Sequence, residues 1–152
     1  MKALIQRVTG ALVSVNAKLV GKIGSGLVVF IGIARGDSQE DASYLANKIV
    51  NLRIFSDEGN KFALSALETK REILIVSQFT LLADSGKGRR PSFTEASPPH
   101  RAKELYDFFV DQVHSTGLKV ETGIFQEYML VEIHNDGPVT LLLESKKSLK
   151  IS

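Results

Sequence analysis

Asn135-Asp136-Gly137-Pro138-Val139-Thr140 lies between two apolar runs near the C-terminus, and its reading decides what kind of sheet the chain builds. Proline has no N–H to give to a strand ladder and is kept to edges, strand starts and bulges. The glycine before it leaves the backbone free to expose carbonyls and to approach a ligand closely. The bond joining them is of the one type for which the cis form is cheap, about 0.5–1 kcal/mol above trans. By ordinary turn chemistry the hexapeptide joins two strands, about 128–135 and Val139 to Glu144. It is also a place where backbone could act without any reactive side chain.

Reading back from there, a further strand is expected at about 118–123. Before it, Ser97-Pro98-Pro99 is a helix start with serine as cap and proline in the first turn. Leu105, Phe109 and Val113 give this helix an apolar face, and Gly117 ends it. Glu72 to Leu81 begins as a buried strand and turns polar at its end, and Asp84 to Pro91 is a polar loop carrying Lys87, Arg89 and Arg90.

Towards the N-terminus, Asp37 with Glu40 reads as a capping pair for a helix over about 38–53, whose stripe is Leu45, Ile49 and Leu52. Leu27-Val28-Val29-Phe30-Ile31-Gly32-Ile33 is apolar without alternation, as in a strand buried on both faces. Residues 3–15 and 18–23 alternate and flank Asn16-Ala17, a hairpin candidate. Gly21, Gly24 and Gly26 precede a strand rather than a helix, so they read as hairpin glycines and not as a dinucleotide loop. Strands outnumber helices and most neighbours look hairpin-connected. The expected fold is α+β: a curved, mostly antiparallel sheet or barrel with two packed helices.

The whole composition fits one domain over residues 1–152, large enough for a substantial core. Hydrophobic residues make up 43 % and charged residues 24 % of the chain, as in ordinary globular proteins. The net charge is only +2, which argues against a general nucleic-acid coat, DNA included, while permitting a local basic patch. With no cysteine there can be no disulfide, thiol nucleophile or thiolate metal site. No apolar run approaches a signal peptide or the roughly 20 residues of a membrane span, so a cytoplasmic protein without membrane contact is expected.

Candidate chemistry is sparse. His100, His114 and His134 show no metal-ligand spacing, so no metal is expected. A serine esterase would need Ser77 or Thr80 as nucleophile with His134 and Asp136 as base and orienter. Residues 134 and 136 share one face of a strand, which leaves the carboxylate badly placed to orient the ring, and no G-x-S-x-G elbow surrounds Ser77. Ser77-Gln78-Phe79-Thr80, at the end of a buried strand, can line a cleft or merely mark where the strand meets water. Lys87, Arg89 and Arg90 before Pro91-Ser92-Phe93 have the makings of a phosphate-holding loop with an aromatic neighbour, and also of a solvated loop.

Ser77-Gln78-Phe79-Thr80 together with Asn135-Asp136-Gly137-Pro138-Val139-Thr140 resembles the D-aminoacyl-tRNA deacylase family of chiral proofreading enzymes. Ala3-Leu4-Ile5-Gln6-Arg7-Val8, Arg53-Ile54-Phe55-Ser56-Asp57, Arg90-Pro91-Ser92-Phe93 and the helix around Leu105-Tyr106 extend the likeness over about residues 1–145. The basic tail of 146–152, with Lys146, Lys147 and Lys150, falls outside it and is expected to be frayed.

The resemblance implies a homodimer acting on the 3′-terminal aminoacyl-adenosine of tRNA, with neither metal nor cofactor. A cis Gly137–Pro138 pair of one subunit, with Val139 and Thr140, would enter the partner's pocket. Its two carbonyls would obstruct the Cβ of an L-amino acid while admitting D-residues and glycine, including glycine mischarged on alanine tRNA. Ser77, Gln78, Phe79 and Thr80 would form the catalytic pocket, stabilising the oxyanion through backbone N–H groups, with the ribose hydroxyl assisting hydrolysis. Phe79, Phe125 and Met129 would line the adenosine end, and Arg7 would brace the incoming Gly-Pro loop.

Overall fold

The structure is a computed structural model and describes residues 1–146. Its elements run β1 (Lys2–Val15), β2 (Lys18–Ile23), β3 (Gly26–Gly32), α1 (Gln39–Asn51), β4 (Phe55–Ser56), β5 (Phe62–Leu64), α2 (Ala66–Thr69), β6 (Glu72–Ser77), a 3-10 turn (Phe79–Leu82), α3 (Pro99–His114), β7 (Val120–Thr122) and β8 (Leu130–Glu144). The main sheet has the order β2-β1-β3-β6-β7, with β8 paired to β1. The architecture is the expected α+β, a curved sheet with α1 and α3 packed on it; α2 and the 3-10 turn add two short pieces.

The strand β1 organises the sheet. It pairs antiparallel with β3 through Lys2–Val8, with β2 through Ala11–Val15, and with β8 over nearly its whole length. Asn16 and Ala17, at φ 50° and 63°, make the tight β1–β2 hairpin that their positions suggested. The apolar runs of β3 and β6 pair in parallel, as do β6 and β7. Both runs are buried on both faces. Leu27, Val29, Ile31, Ile73 and Ile75 meet the helices, while Val28, Leu74 and Val76 turn to a second core inside the curve with Val8, Val13 and Ile23. Of the supposed hairpin glycines, Gly24 occupies the bend, whereas Gly26 lies against β6: a Cβ there would overlap the Glu72 backbone.

Both long helices form as their periodicity requires. Leu45 and Ile49 of α1 and Leu105, Phe109 and Val113 of α3 are buried together, each such side chain contributing roughly 1.5–3 kcal/mol through burial. Their caps differ from expectation. Ser38, not Asp37, caps α1, and the Asp41 carboxylate, not Glu40, accepts the Ser38 backbone N–H at 2.8 Å. Asp37 is engaged elsewhere, 2.8 Å from the Met1 ammonium and accepting the Ala34 N–H at 2.7 Å. Pro98, not Ser97, is the α3 cap, without a side-chain cap bond, and the Ser97 N–H bonds Ile33 O at 2.9 Å. Lys146 is not frayed: its Nζ lies 3.4 Å from Asp37 and 3.5 Å from Asp41. Lys147 and Lys150 lie outside the described residues.

The hexapeptide is not a turn between two strands. Gln6 pairs with Thr140 and Val8 with Asn135, so Asp136 to Val139 oppose Arg7 alone as a wide bulge in the single strand β8. The chain does not reverse because both flanks stay on the β1 ladder. The Asn135 Nδ2 donates to Arg7 O at 3.0 Å and to Val139 O at 3.1 Å, replacing ladder bonds that proline cannot make. The Gly137–Pro138 bond is cis, as the resemblance implied.

Candidate active site

The cleft begins where β6 stops. Gln78 N–H still bonds Ile31 O at 2.8 Å, but the next hydrogen bond, Leu81 N–H to Gln78 O at 3.2 Å, closes a 3-10 turn. Phe79 and Thr80 are therefore the first two residues of that turn, and their N–H groups are its orphan donors. Phe79 is 57 % exposed, far too open for a core aromatic. The Gln78 Nε2 donates to Thr80 Oγ1, so the only hydroxyl on the turn is engaged by a neutral amide rather than by a base.

Ser77, Gln78, Phe79 and Thr80 form one wall of a cleft of about 890 Å³, a volume suited to a ligand of aminoacyl-nucleoside size. The opposite wall is the segment from Phe125 to Met129 ahead of β8, with Val131 on β8 itself. Gln126, within this segment, takes the left-handed φ of 66°. Phe125 packs at 5.7 Å against Tyr106, whose hydroxyl donates to Ile75 O at 3.1 Å. Burial holds that phenol well above its ordinary pKa, with Asp107 adding to the effect, so it remains a neutral donor. Phe93 meets Phe79 edge to face at 5.0 Å, closing the cleft on the side of the basic loop.

The structure thus brings together six of the expected site residues, Ser77 to Thr80 with Phe125 and Met129. It places the other five elsewhere in the same chain. Gly137 and Pro138 stand exposed on the β8 bulge, flanked by half-buried Val139 and exposed Thr140. Arg7 braces this loop of its own chain: its Nε lies 3.3 Å from Asp136 Oδ2, and its Nη1 donates to Ile54 O at 2.8 Å.

The esterase arrangement is not formed. Asp136 is paired with Arg7, and His134 is exposed on the face of β8 opposite the half-buried Ile133 and Val131. Among the described residues no histidine lines the cleft, and no cluster of three or more metal-ligating side chains occurs. No helix among them is long and apolar enough to cross a membrane. Sequence reasoning missed Tyr128, a rim residue 94 % exposed, because a lone tyrosine in a loop carries no periodicity.

The chain is similar to known proteins over nearly its whole length. The sequence profile of the D-Tyr-tRNA(Tyr) deacylase family matches residues 4–144. A D-aminoacyl-tRNA deacylase of Fervidobacterium nodosum is 56 % identical over 97 % of this chain and 99 % of its own length. That of Aquifex aeolicus is 57 % identical over the same shares. Among solved structures, one named c-Myc DNA Unwinding Element Binding Protein superposes with a TM-score of 0.91 at 42 % identity, over 97 % of this chain and 100 % of that one. A probable eukaryotic D-amino acid tRNA deacylase shares the fold, with a TM-score of 0.84 at 20 % identity over 94 % and 98 % of the two chains. The chain belongs to the D-Tyr-tRNA(Tyr) deacylase family.

Proposed function

We propose that this protein is a hydrolase that cleaves the ester of D-aminoacyl-tRNA, releasing free tRNA and amino acid in the cytoplasm. Its close relatives carry that activity in their name, and the family match spans nearly the whole chain, which we read as one domain. The observation that carries the mechanism is the cleft wall: two backbone N–H groups, of Phe79 and Thr80, that find no partner among the described residues, in a cleft lined by none of the described histidines. Such donors suit the oxyanion of an ester undergoing attack, where one is worth roughly 3–4 kcal/mol.

Among the described residues lining the cleft there is no histidine and the one carboxylate is the exposed Glu127, so the proton relay is assigned to the substrate. The free hydroxyl beside the ester on the terminal ribose activates the attacking water, and the enzyme positions the ester and stabilises the charge. Phe79, Phe125 and Met129 hold the adenosine end.

Chirality is read by a second copy of the chain. The exposed Gly137–Pro138 bulge, with Val139 and Thr140 at its base, does not line its own cleft and fits a role in the partner's cleft of a homodimer. Backbone carbonyls there reject any Cβ of L configuration and are blind to side-chain identity. Many D-residues are therefore accepted, and so is glycine, including glycyl-tRNA(Ala). One assay tests the reading: release of amino acid from D-Tyr-, L-Tyr- and Gly-tRNA(Ala). Hydrolysis of the first and third with the second spared is expected; equal hydrolysis of all three, or of none, refutes it.

A further inference from the structure

Outside the cleft, among the described residues, the loop after the 3-10 turn carries three uncommitted positive charges. Asp84 and Ser92 exchange backbone hydrogen bonds of 2.7 and 2.8 Å, and Asp84 Oδ1 accepts the Gly86 N–H at 2.9 Å. These bonds tie off residues 85–91 as a closed, fully exposed loop. Lys87, Arg89 and Arg90 project from it, and among the described residues no carboxylate lies within ion-pair distance of them, whereas Lys103, Lys119 and Lys146 all have partners. Each of the three is within three residues of the tie, hence no more than about 11 Å from it.

The tie is itself fixed to the cleft. Phe93, next to Ser92, packs on Phe79, and the following carbonyl, Thr94 O, accepts Arg35 Nε at 2.7 Å. A loop rooted so firmly holds its charges beside the cleft mouth instead of sweeping through solvent. Across the mouth stands Tyr128, 94 % exposed. An aromatic ring left wholly in water at the entrance of a cleft has its two faces free for stacking.

Resting on the deacylase reading, we propose that this loop and Tyr128 form a clamp for the single-stranded RNA that leads into the cleft. Lys87, Arg89 and Arg90 take the phosphates 5′ of the terminal adenosine, and Tyr128 stacks on a base of the same stretch. Cations on a groove with interleaved aromatics hold single strands without reading their sequence. That suits an enzyme that must accept the common 3′ end of many tRNAs. It also reconciles a net charge of only +2 with an RNA substrate, because the positive charge is local.

The test compares D-aminoacyl-tRNA with D-aminoacyl-adenosine, which lacks the phosphates. For the combined Lys87→Ala, Arg89→Ala, Arg90→Ala variant, KM for the tRNA should rise about 10- to 100-fold at unchanged kcat, and hydrolysis of the adenosine ester should stay within about twofold of wild type. The dependence of log K on log salt should fall by about 2, near 0.7 for each phosphate no longer neutralised. Tyr128→Ala should raise KM for the tRNA roughly 5- to 100-fold, with Tyr128→Phe restoring it.

Equal losses on both substrates would show a merely structural role, and no loss on tRNA would show no clamp; either overturns the proposal. A wild-type protein inactive on both esters would sink the deacylase reading instead. The clamp is then decided by anisotropy of a labelled single-stranded RNA ending in CCA: wild-type affinity in the triple variant, or a Tyr128→Ala variant that alters only self-association, overturns it.

Discussion

Arg7 and Asp136 meet within one chain, Nε to Oδ2 at 3.3 Å, across the bulge that carries Gly137 and Pro138. The guanidinium is also fixed from two other sides, by Ile54 O at 2.8 Å and by the ring of Phe62 at 5.3 Å. An exposed loop is thereby held by a half-buried cation on the strand opposite. The resemblance cast Arg7 as the brace for a loop arriving from a partner; here it braces the loop its own chain presents. Specificity by backbone needs such bracing, because a carbonyl that drifts by an ångström no longer excludes a methyl group.

Gly137→Ala tests that rigidity. Gly137 has φ 119°, a region L side chains rarely enter, and an added Cβ would sit 3.0 Å from Arg7 Nη2 and 2.9 Å from Val139 Cγ2. The bulge must shift and Arg7 with it. Discrimination between D-Tyr- and L-Tyr-tRNA should fall by at least about tenfold, with melting lowered by only a few degrees, since the loop is outside the core. Unchanged chiral discrimination in steady-state assays would remove the bulge from the specificity machinery.

Much of this was legible in the chain. The stripes Leu45/Ile49 and Leu105/Phe109/Val113 declared their helices because burial imposes a 3.6-residue period. Asn16-Ala17 declared its hairpin because a two-residue turn demands left-handed backbone. The single strand β8 was hidden, since Gly-Pro looks like a break until the pairing of Asn135 with Val8 and of Thr140 with Gln6 is known. Parallel pairing of β3 with β6 was hidden for a similar reason: an apolar run states that it is buried, not beside what. The cap at Ser38 was hidden because the Asp37 carboxylate is held by a distant atom, Met1 N.

The cleft residues were legible as a polar patch at a strand end, and the use proposed for them rests on the orphan donors of Phe79 and Thr80. If those donors and the substrate's own hydroxyl carry the reaction, Thr80→Ala should retain kcat within about fivefold, while replacing the terminal 2′-hydroxyl with hydrogen should slow single-turnover hydrolysis at least about 100-fold. The opposite pattern, an inactive Thr80→Ala enzyme that tolerates the deoxy substrate, would return the nucleophile to the protein.

Stability at low pH should depend on Asp41. Burial works to raise its pKa but is outweighed by the Ser38 backbone N–H, the Ser145 hydroxyl, Lys146 and the Met1 ammonium, leaving it below the ordinary value of 3.8. A carboxyl depressed on folding stabilises the fold above its unfolded pKa, and that contribution fades as pH falls through the folded value. Wild type should therefore lose stability steadily as pH drops below about 4. Asp41→Asn should be less stable near neutrality and show a shallower acid limb in urea titrations between pH 6 and 2. Parallel acid limbs for the two proteins would place the sensitive carboxylate elsewhere.

The dimeric reading makes a prediction that a monomeric enzyme could not satisfy. Gly137→Ala damages the bulge but leaves the cleft intact; Phe79→Ala damages the cleft wall and leaves the bulge intact. If each site joins one chain's cleft to the other chain's bulge, a mixed dimer holds one site with both parts sound and one with both damaged. Random reassortment makes half of the dimers mixed, and in these the sound cleft faces a sound bulge; when equal amounts of the two variants are unfolded and refolded together, hydrolysis of L-Tyr-tRNA should therefore fall to about half while that of D-Tyr-tRNA is unchanged, as expected for an isologous pair. No such fall should occur when the variants are mixed without exchange. L-Tyr-tRNA hydrolysis equal to the mean of the two separate variants after verified subunit exchange would show that each chain completes its own site, and the exposed bulge would then need another partner.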